Sequence, residues 1–150
     1  RALDWPVLWL VAGGIALGSG VAATGLDKWM LGSIQWASIP GILLIFVLAL
    51  VGWVTSNVIS HSASANLLIP MGMGLAATVS TSAAEIAIVI ALGCSLGMCL
   101  PISTPPNAIA YSTGTTPTRE MAIVGIVVGV VGIMLLAFIA PLTWGFIGVM

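Results

Sequence analysis

Charge is almost missing from this chain. Three basic and four acidic residues, with one histidine, are all it carries over 150 positions. A soluble domain holds about 25 % charged residues, whereas this sequence has 5 %, with 60 % hydrophobic. No soluble fold of this length could cover so much apolar surface, so the sequence reads as an integral membrane protein in contact with the lipid bilayer. A formal net charge of -1 and no basic patch leave nothing to attract nucleic acid. Cysteine is scarce too. Cys94 and Cys99 fall on different faces of a predicted helix, badly placed to bridge, and read as small buried hydrophobes. Metal-ligand clusters, nucleophile–base pairs and phosphate loops are all missing, so the chain does not read as an enzyme.

Glycine (18 residues) and tryptophan (6) are plentiful instead. Glycine suits close helix packing in membranes, and Trp29, Trp36 and Trp144 fit the aromatic belt at an interface. Residues 4–28 form a first predicted span, with a GxxxG pair at Gly14 and Gly18. Residues 40–71 follow. Ile42 to Val54 is apolar but shorter than the ~20 residues a span needs. It runs into Thr55-Ser56-Asn57, and Val58 to Met71 resumes as a second short helix. Two short helices meeting at an unwound polar tip predict a re-entrant hairpin; one continuous tilted span from Pro40 to Pro70 is the alternative. Gly72 to Ser82 reads as a loop of small residues.

A broken helix is predicted over residues 84–112. Its first half, Ala84 to Leu100, carries a second GxxxG pair at Gly93 and Gly97. Pro101 to Asn107 interrupts it, because proline cannot continue the hydrogen-bond ladder. The final span covers residues 120–141, with Gly125, Gly129 and Gly132 on it. Arg1 and Arg119 inside, with Lys28 outside, would make the hairpin open outward. The chain begins at Arg1 and ends at Met150 within an apolar stretch, as a piece of a longer protein would. Its whole length, residues 1–150, would match one half of a transporter built from two repeats.

The two polar breaks carry the chemistry. In hydrocarbon every backbone polar group needs a partner, and broken helices survive only when buried or lining a cavity. Ser56 and Asn57 offer hydroxyl and amide oxygens to a hard cation such as sodium, and unwound backbone there would free carbonyls. The amides of the following half-helix face the same point with the positive end of its dipole, which suits an anion. At Ser103-Thr104-Pro105-Pro106-Asn107 two N–H donors are lost and the Ser103 carbonyl becomes a cation ligand. The bland readings are a polar helix–helix contact at the first break and a proline kink at the second. His61, a helical turn after Asn57, is either within reach of a substrate or proton, or a hydrogen-bonded packing histidine. Glu85, beside Ser80-Thr81-Ser82, is either a functional intramembrane carboxylate or an interfacial helix cap.

Ser56-Asn57 after an apolar half-helix, then Cys94 and Leu100-Pro101-Ile102-Ser103-Thr104-Pro105-Pro106-Asn107-Ala108-Ile109, resemble the C-terminal half of the divalent anion–sodium symporter family. Its members carry Ser-Asn-Thr at each hairpin tip and an LPxxTPPNAI-type break in a discontinuous helix. The resemblance implies an all-α membrane fold, the C-terminal repeat of an inverted-repeat elevator transporter working as a homodimer with its N-terminal half. It implies sodium-coupled symport of small dicarboxylates, such as succinate or malate, in the cell membrane. By position, Thr55, Ser56 and Asn57, with Ser103, would surround one sodium ion. Asn57, Val58, Thr104 and Pro105 would face a substrate carboxylate. Val58 stands where the family has threonine, so one hydroxyl donor is lost. Transport or exchange of citrate, 2-oxoglutarate or an inorganic oxyanion is the rival reading, and a non-transporting membrane fragment is another.

Overall fold

The computed structural model describes residues 39–147 except 78 and 80, with scattered positions between 9 and 29. The expected first span over residues 4–28 lies mostly outside the described residues. The described chain is helical, with no strand among the described residues. Helix α1 is Gly41–Val58, α2 is His61–Met73, and a 3-10 turn covers Gly74–Ala77. Helix α3 is Ala83–Ser95, α4 is Pro105–Ser112, and α5 is Thr118–Ile147. Among the described residues, two stretches are long and apolar enough to cross a membrane, α1 and residues Thr118–Trp144 of α5.

The first helix corrects the reading of the polar run. Thr55, Ser56 and Asn57 do not unwind; they complete an 18-residue helix. Hydroxyls and amides of this size can satisfy themselves on the preceding turn. Thr55 Oγ1 donates to the Val51 carbonyl at 2.7 Å, and Ser56 Oγ and Asn57 Nδ2 both donate to the Trp53 carbonyl. The chain breaks afterwards, where Ile59 (φ -120°, ψ 165°) and Ser60 (φ -60°, ψ 152°) are both extended. Ser60 then caps α2, its hydroxyl accepting from the Ala63 amide.

Other boundaries also move. α2 runs through Pro70 to Met73, beyond the expected end of the second half-helix. Ser82 and Glu85 start α3 with a reciprocal capping box: the Ser82 amide donates to Glu85 Oε2 at 2.6 Å, and the Glu85 amide donates to Ser82 Oγ. The cap is therefore the role Glu85 fills here. α3 stops at Ser95, earlier than expected, and residues 96–104 are irregular. Pro105 and Pro106 do not leave a bend short of donors. They form the first turn of α4, where their missing N–H groups would have had no intrahelical partner.

Backbone contacts give the helix directions. A Cβ on Gly93 would sit 2.6 Å from the Ala49 carbonyl oxygen, and one on Gly97 would sit 2.9 Å from the Ser56 backbone. Ascending positions thus meet ascending positions, and α1 runs parallel to α3. His61 meets Gly97 while Gly72 meets Ile86 and Ile90, so α2 runs antiparallel to α3. α1 and α2 are therefore an antiparallel pair. α5 runs back along them, Gly125 against Cys99 and Gly132 against Leu96. The core between them is Leu44, Ile45, Leu48, Ala49, Ile86, Val89, Ile90, Cys94, Ile133 and Ala137. The turn at Ile59–Ser60, the irregular segment 96–104 and the start of α5 gather at one end of this bundle.

Candidate functional site

Asn57 joins the two breaks. Asn57, at the end of α1, accepts from the Cys99 amide through Oδ1 at 2.8 Å, while its Nδ2 donates to Trp53 at 2.8 Å. Both ends of the amide are used. Ser56 and Ser103 are buried alongside, 0 % and 1 % exposed. Helix ends and irregular backbone leave polar groups without ladder partners, and a buried amide is suited to filling that need because it both donates and accepts.

A second asparagine does the same within the irregular segment. Asn107 Nδ2 points at three oxygens: the Met98 carbonyl at 3.0 Å, the Leu100 carbonyl at 3.3 Å and Ser103 Oγ at 3.2 Å. Ser103 Oγ donates in turn to the Leu100 carbonyl at 2.6 Å. Thr104 caps α4 by accepting from the Asn107 amide. A cluster of oxygens around one point is the ligand type a hard cation takes. Here an amide NH2 group occupies that point.

Beside this network lies an open cleft of about 440 Å³, lined by Ser60, His61, Ser62, Met98, Ser103, Thr104, Pro105, Pro106 and Asn107. One wall is the first turn of α2, whose amide end carries the positive pole of the helix dipole. The other is the break before α4. His61 ties the walls together, with Nε2 2.5 Å from the Gly97 carbonyl oxygen. The cleft walls carry hydroxyls, an amide and an imidazole, a set able to orient a small anion and a cation together.

The sequence-predicted residues separate into two groups. Ser103, Thr104 and Pro105 line the cleft, and Ser56 and Asn57 lie buried in the helix end near it. Thr55 is turned to its own helix backbone. Val58 is 64 % exposed and outside the cleft lining. Sequence reasoning missed Ser60 and Ser62, and it gave Asn107 no role. The signal for the first two was a Ser-His-Ser run, directly after β-branched Ile59, that places a serine cap before a helical stretch. Asn107 was visible as the amide following two prolines.

Comparison with known proteins covers the chain from end to end. The sequence model of the sodium:sulfate symporter transmembrane region matches residues 2–150. The chain is 30 % identical over 145 residues to the mouse Na(+)/dicarboxylate cotransporter 3, covering 96 % of this chain and 24 % of that protein. It is 29 % identical to the mouse Na(+)/citrate cotransporter, covering 95 % and 25 %. With the sodium-dependent dicarboxylate transporter of Staphylococcus saprophyticus it shares 28 % identity, covering 93 % and 27 %. The chain thus spans about a quarter of the length of these relatives. An all-helical apolar bundle, two polar helix breaks brought to one end, and a family match over nearly every residue agree: the chain belongs to the sodium:sulfate symporter family.

Proposed function

We propose that this chain forms the C-terminal half of the transport domain of a secondary active transporter, one that carries a small dicarboxylate of the succinate or malate class together with sodium. Residues 40–71 are its re-entrant hairpin, residues 84–112 its discontinuous helix, and residues 4–28 and 120–141 its flanking spans. An N-terminal half supplies the inverted repeat, and the whole works as a multi-pass homodimer in the cell membrane. The relatives' names, with sodium, dicarboxylate and citrate in them, support this reading. The observation that carries it is the Asn57–Cys99 bond, which holds two helix breaks side by side next to a polar cleft. Such breaks at membrane depth accompany ion and substrate sites in repeat-built transporters.

The sodium ion is held by oxygens of Thr55, Ser56, Asn57 and Ser103. The anion lies toward Asn57, Thr104 and Pro105, with Ser60, His61 and Ser62 closing the cleft and Val58, outside its lining, making no contact. Transport needs no covalent chemistry. Bound ions neutralise one another and stabilise the loaded site, and the domain then moves as an elevator against a scaffold. The test is uptake of labelled succinate by proteoliposomes of the full-length parent, with and without an inward sodium gradient. Sodium-driven uptake is the expected result, and uptake indifferent to sodium overturns it. Competition by citrate, 2-oxoglutarate and sulfate ranks the rival anions.

A further inference from the structure

His61 is the only histidine of the chain and stands at the first position of α2. It lines the cleft, and its Nε2 faces the Gly97 carbonyl oxygen. A carbonyl oxygen only accepts, so Nε2 carries a hydrogen. In a neutral imidazole one nitrogen donates and the other accepts. Nδ1 is then a bare lone pair, and it has no hydrogen-bond partner among the described residues. A lone pair is the wrong group to present to an anion. Protonation of Nδ1 turns it into a donor and places a positive charge in the cleft. The bond to Gly97 is the same in both states, so the charge changes without moving the backbone.

Resting on the transport reading above, we propose that His61 makes anion binding in this cleft proton-linked. Nδ1 takes one proton from water as the anion enters, and the new N–H donates to a carboxylate oxygen. The proton returns to water when the anion leaves. The other groups lining the cleft are hydroxyls, prolines, a thioether and an amide, none of which titrates near neutral pH. From α5, Glu120 lines the adjoining hollow behind Met98 and Asn107, and Arg119 precedes it. From α3, Glu85 caps the opposite end of the bundle, and the Cys94 and Cys99 thiols are buried. α1 has no titratable side chain, and Tyr111 of α4 is exposed. Glu120 is the group whose titration must be separated from that of His61.

The test uses the full-length parent in proteoliposomes. Initial sodium-driven succinate uptake is measured from about pH 5.5 to 8.5 for wild type and His61→Gln. Glutamine is uncharged at every pH and keeps an N–H for Gly97. Succinate's own titration and that of Glu120 are shared by both proteins, so the ratio of their rates isolates His61. The ratio should fall about tenfold from low to high pH, in the usual range for two coupled ligands. A flat ratio with sodium-driven uptake intact overturns the role of His61 and leaves the transport reading standing. Loss of sodium dependence in the parent overturns both. If His61→Gln is inactive, proton uptake decides: adding succinate to weakly buffered wild type at about pH 7 should take up protons from solution, approaching one per bound anion. No change of pH on binding overturns the proposal.

Discussion

Asn57 Oδ1 accepts the Cys99 amide at 2.8 Å across 42 positions of sequence. The same side chain donates to Trp53, one turn back in its own helix. One amide therefore fixes the end of α1 to the irregular backbone that follows α3. Asn57→Ala removes the acceptor and leaves the Cys99 amide buried without a partner. An orphaned buried donor costs about 1–3 kcal/mol. The variant should unfold at lower temperature in detergent, measured by the thermal midpoint of the purified full-length protein. An unchanged midpoint would mean that this bond does not hold the two breaks together.

The position of the hairpin turn makes a prediction about Val58. By resemblance it stands where a threonine would face substrate. In the structure it is 64 % exposed, before the turn at Ile59–Ser60, and outside the cleft. Val58→Thr should leave the concentration for half-maximal uptake within about twofold of wild type, since exposed substitutions away from special features shift energies by about 0.5 kcal/mol or less. Ser62→Ala, on the cleft wall, should raise it severalfold. The reverse pattern in competition assays would place the substrate at the end of α1.

What was legible in the sequence follows from how strongly each signal constrains the backbone. The paired prolines at 105 and 106 and the capping residues Thr104, Ser82 and Glu85 restrict local geometry, so a break before α4 and a cap at α3 could be read from single positions. Polarity alone constrains much less. Thr55, Ser56 and Asn57 look like a loop by composition, yet each satisfies itself on the helix carbonyls behind it. The true turn needed two consecutive extended residues, Ile59 and Ser60, and only the second is polar. Partners such as Cys99 for Asn57, or Gly97 for His61, depend on how α1, α2 and α3 lie together. No local pattern carries that information. Gly93 and Gly97 signalled a close helix approach, and the structure supplies its other side, Ala49 and Ser56.

That close approach is itself testable. A Cβ on Gly93 would lie 2.6 Å from the Ala49 carbonyl and 2.8 Å from its Cα. Backbone on both sides cannot move aside as a flexible side chain would. Alanine favours a helix over glycine by about 1 kcal/mol, but overpacking costs about 1–3 kcal/mol. Gly93→Ala should therefore be destabilising on balance. Gly41→Ala is the control, since nothing lies within 4 Å of a Cβ there, and it should be neutral or slightly stabilising. Thermal midpoints of the two variants in the same detergent give the comparison, and equal effects would refute the tight α1–α3 contact.

Asn107 offers the sharpest test of the cleft's polar floor. Its Nδ2 donates toward the Met98 carbonyl, the Leu100 carbonyl and Ser103 Oγ. Asn107→Ala deletes the donors and leaves those oxygens to water from the open cleft, at a cost of about 1–3 kcal/mol. Asn107→Asp keeps the shape but turns a carboxylate toward two carbonyls. A half-buried charge facing acceptors has no donor to compensate its desolvation. In sodium-free buffer at neutral pH the aspartate variant should be the less stable of the two, although it is the closer isostere. Sodium should narrow the gap, because a cation can bridge the carboxylate and the carbonyl oxygens. If alanine proves the more damaging change in both buffers, the Asn107 amide is not aimed at these oxygens. The polar floor would then owe its shape to Ser103 and Thr104 alone.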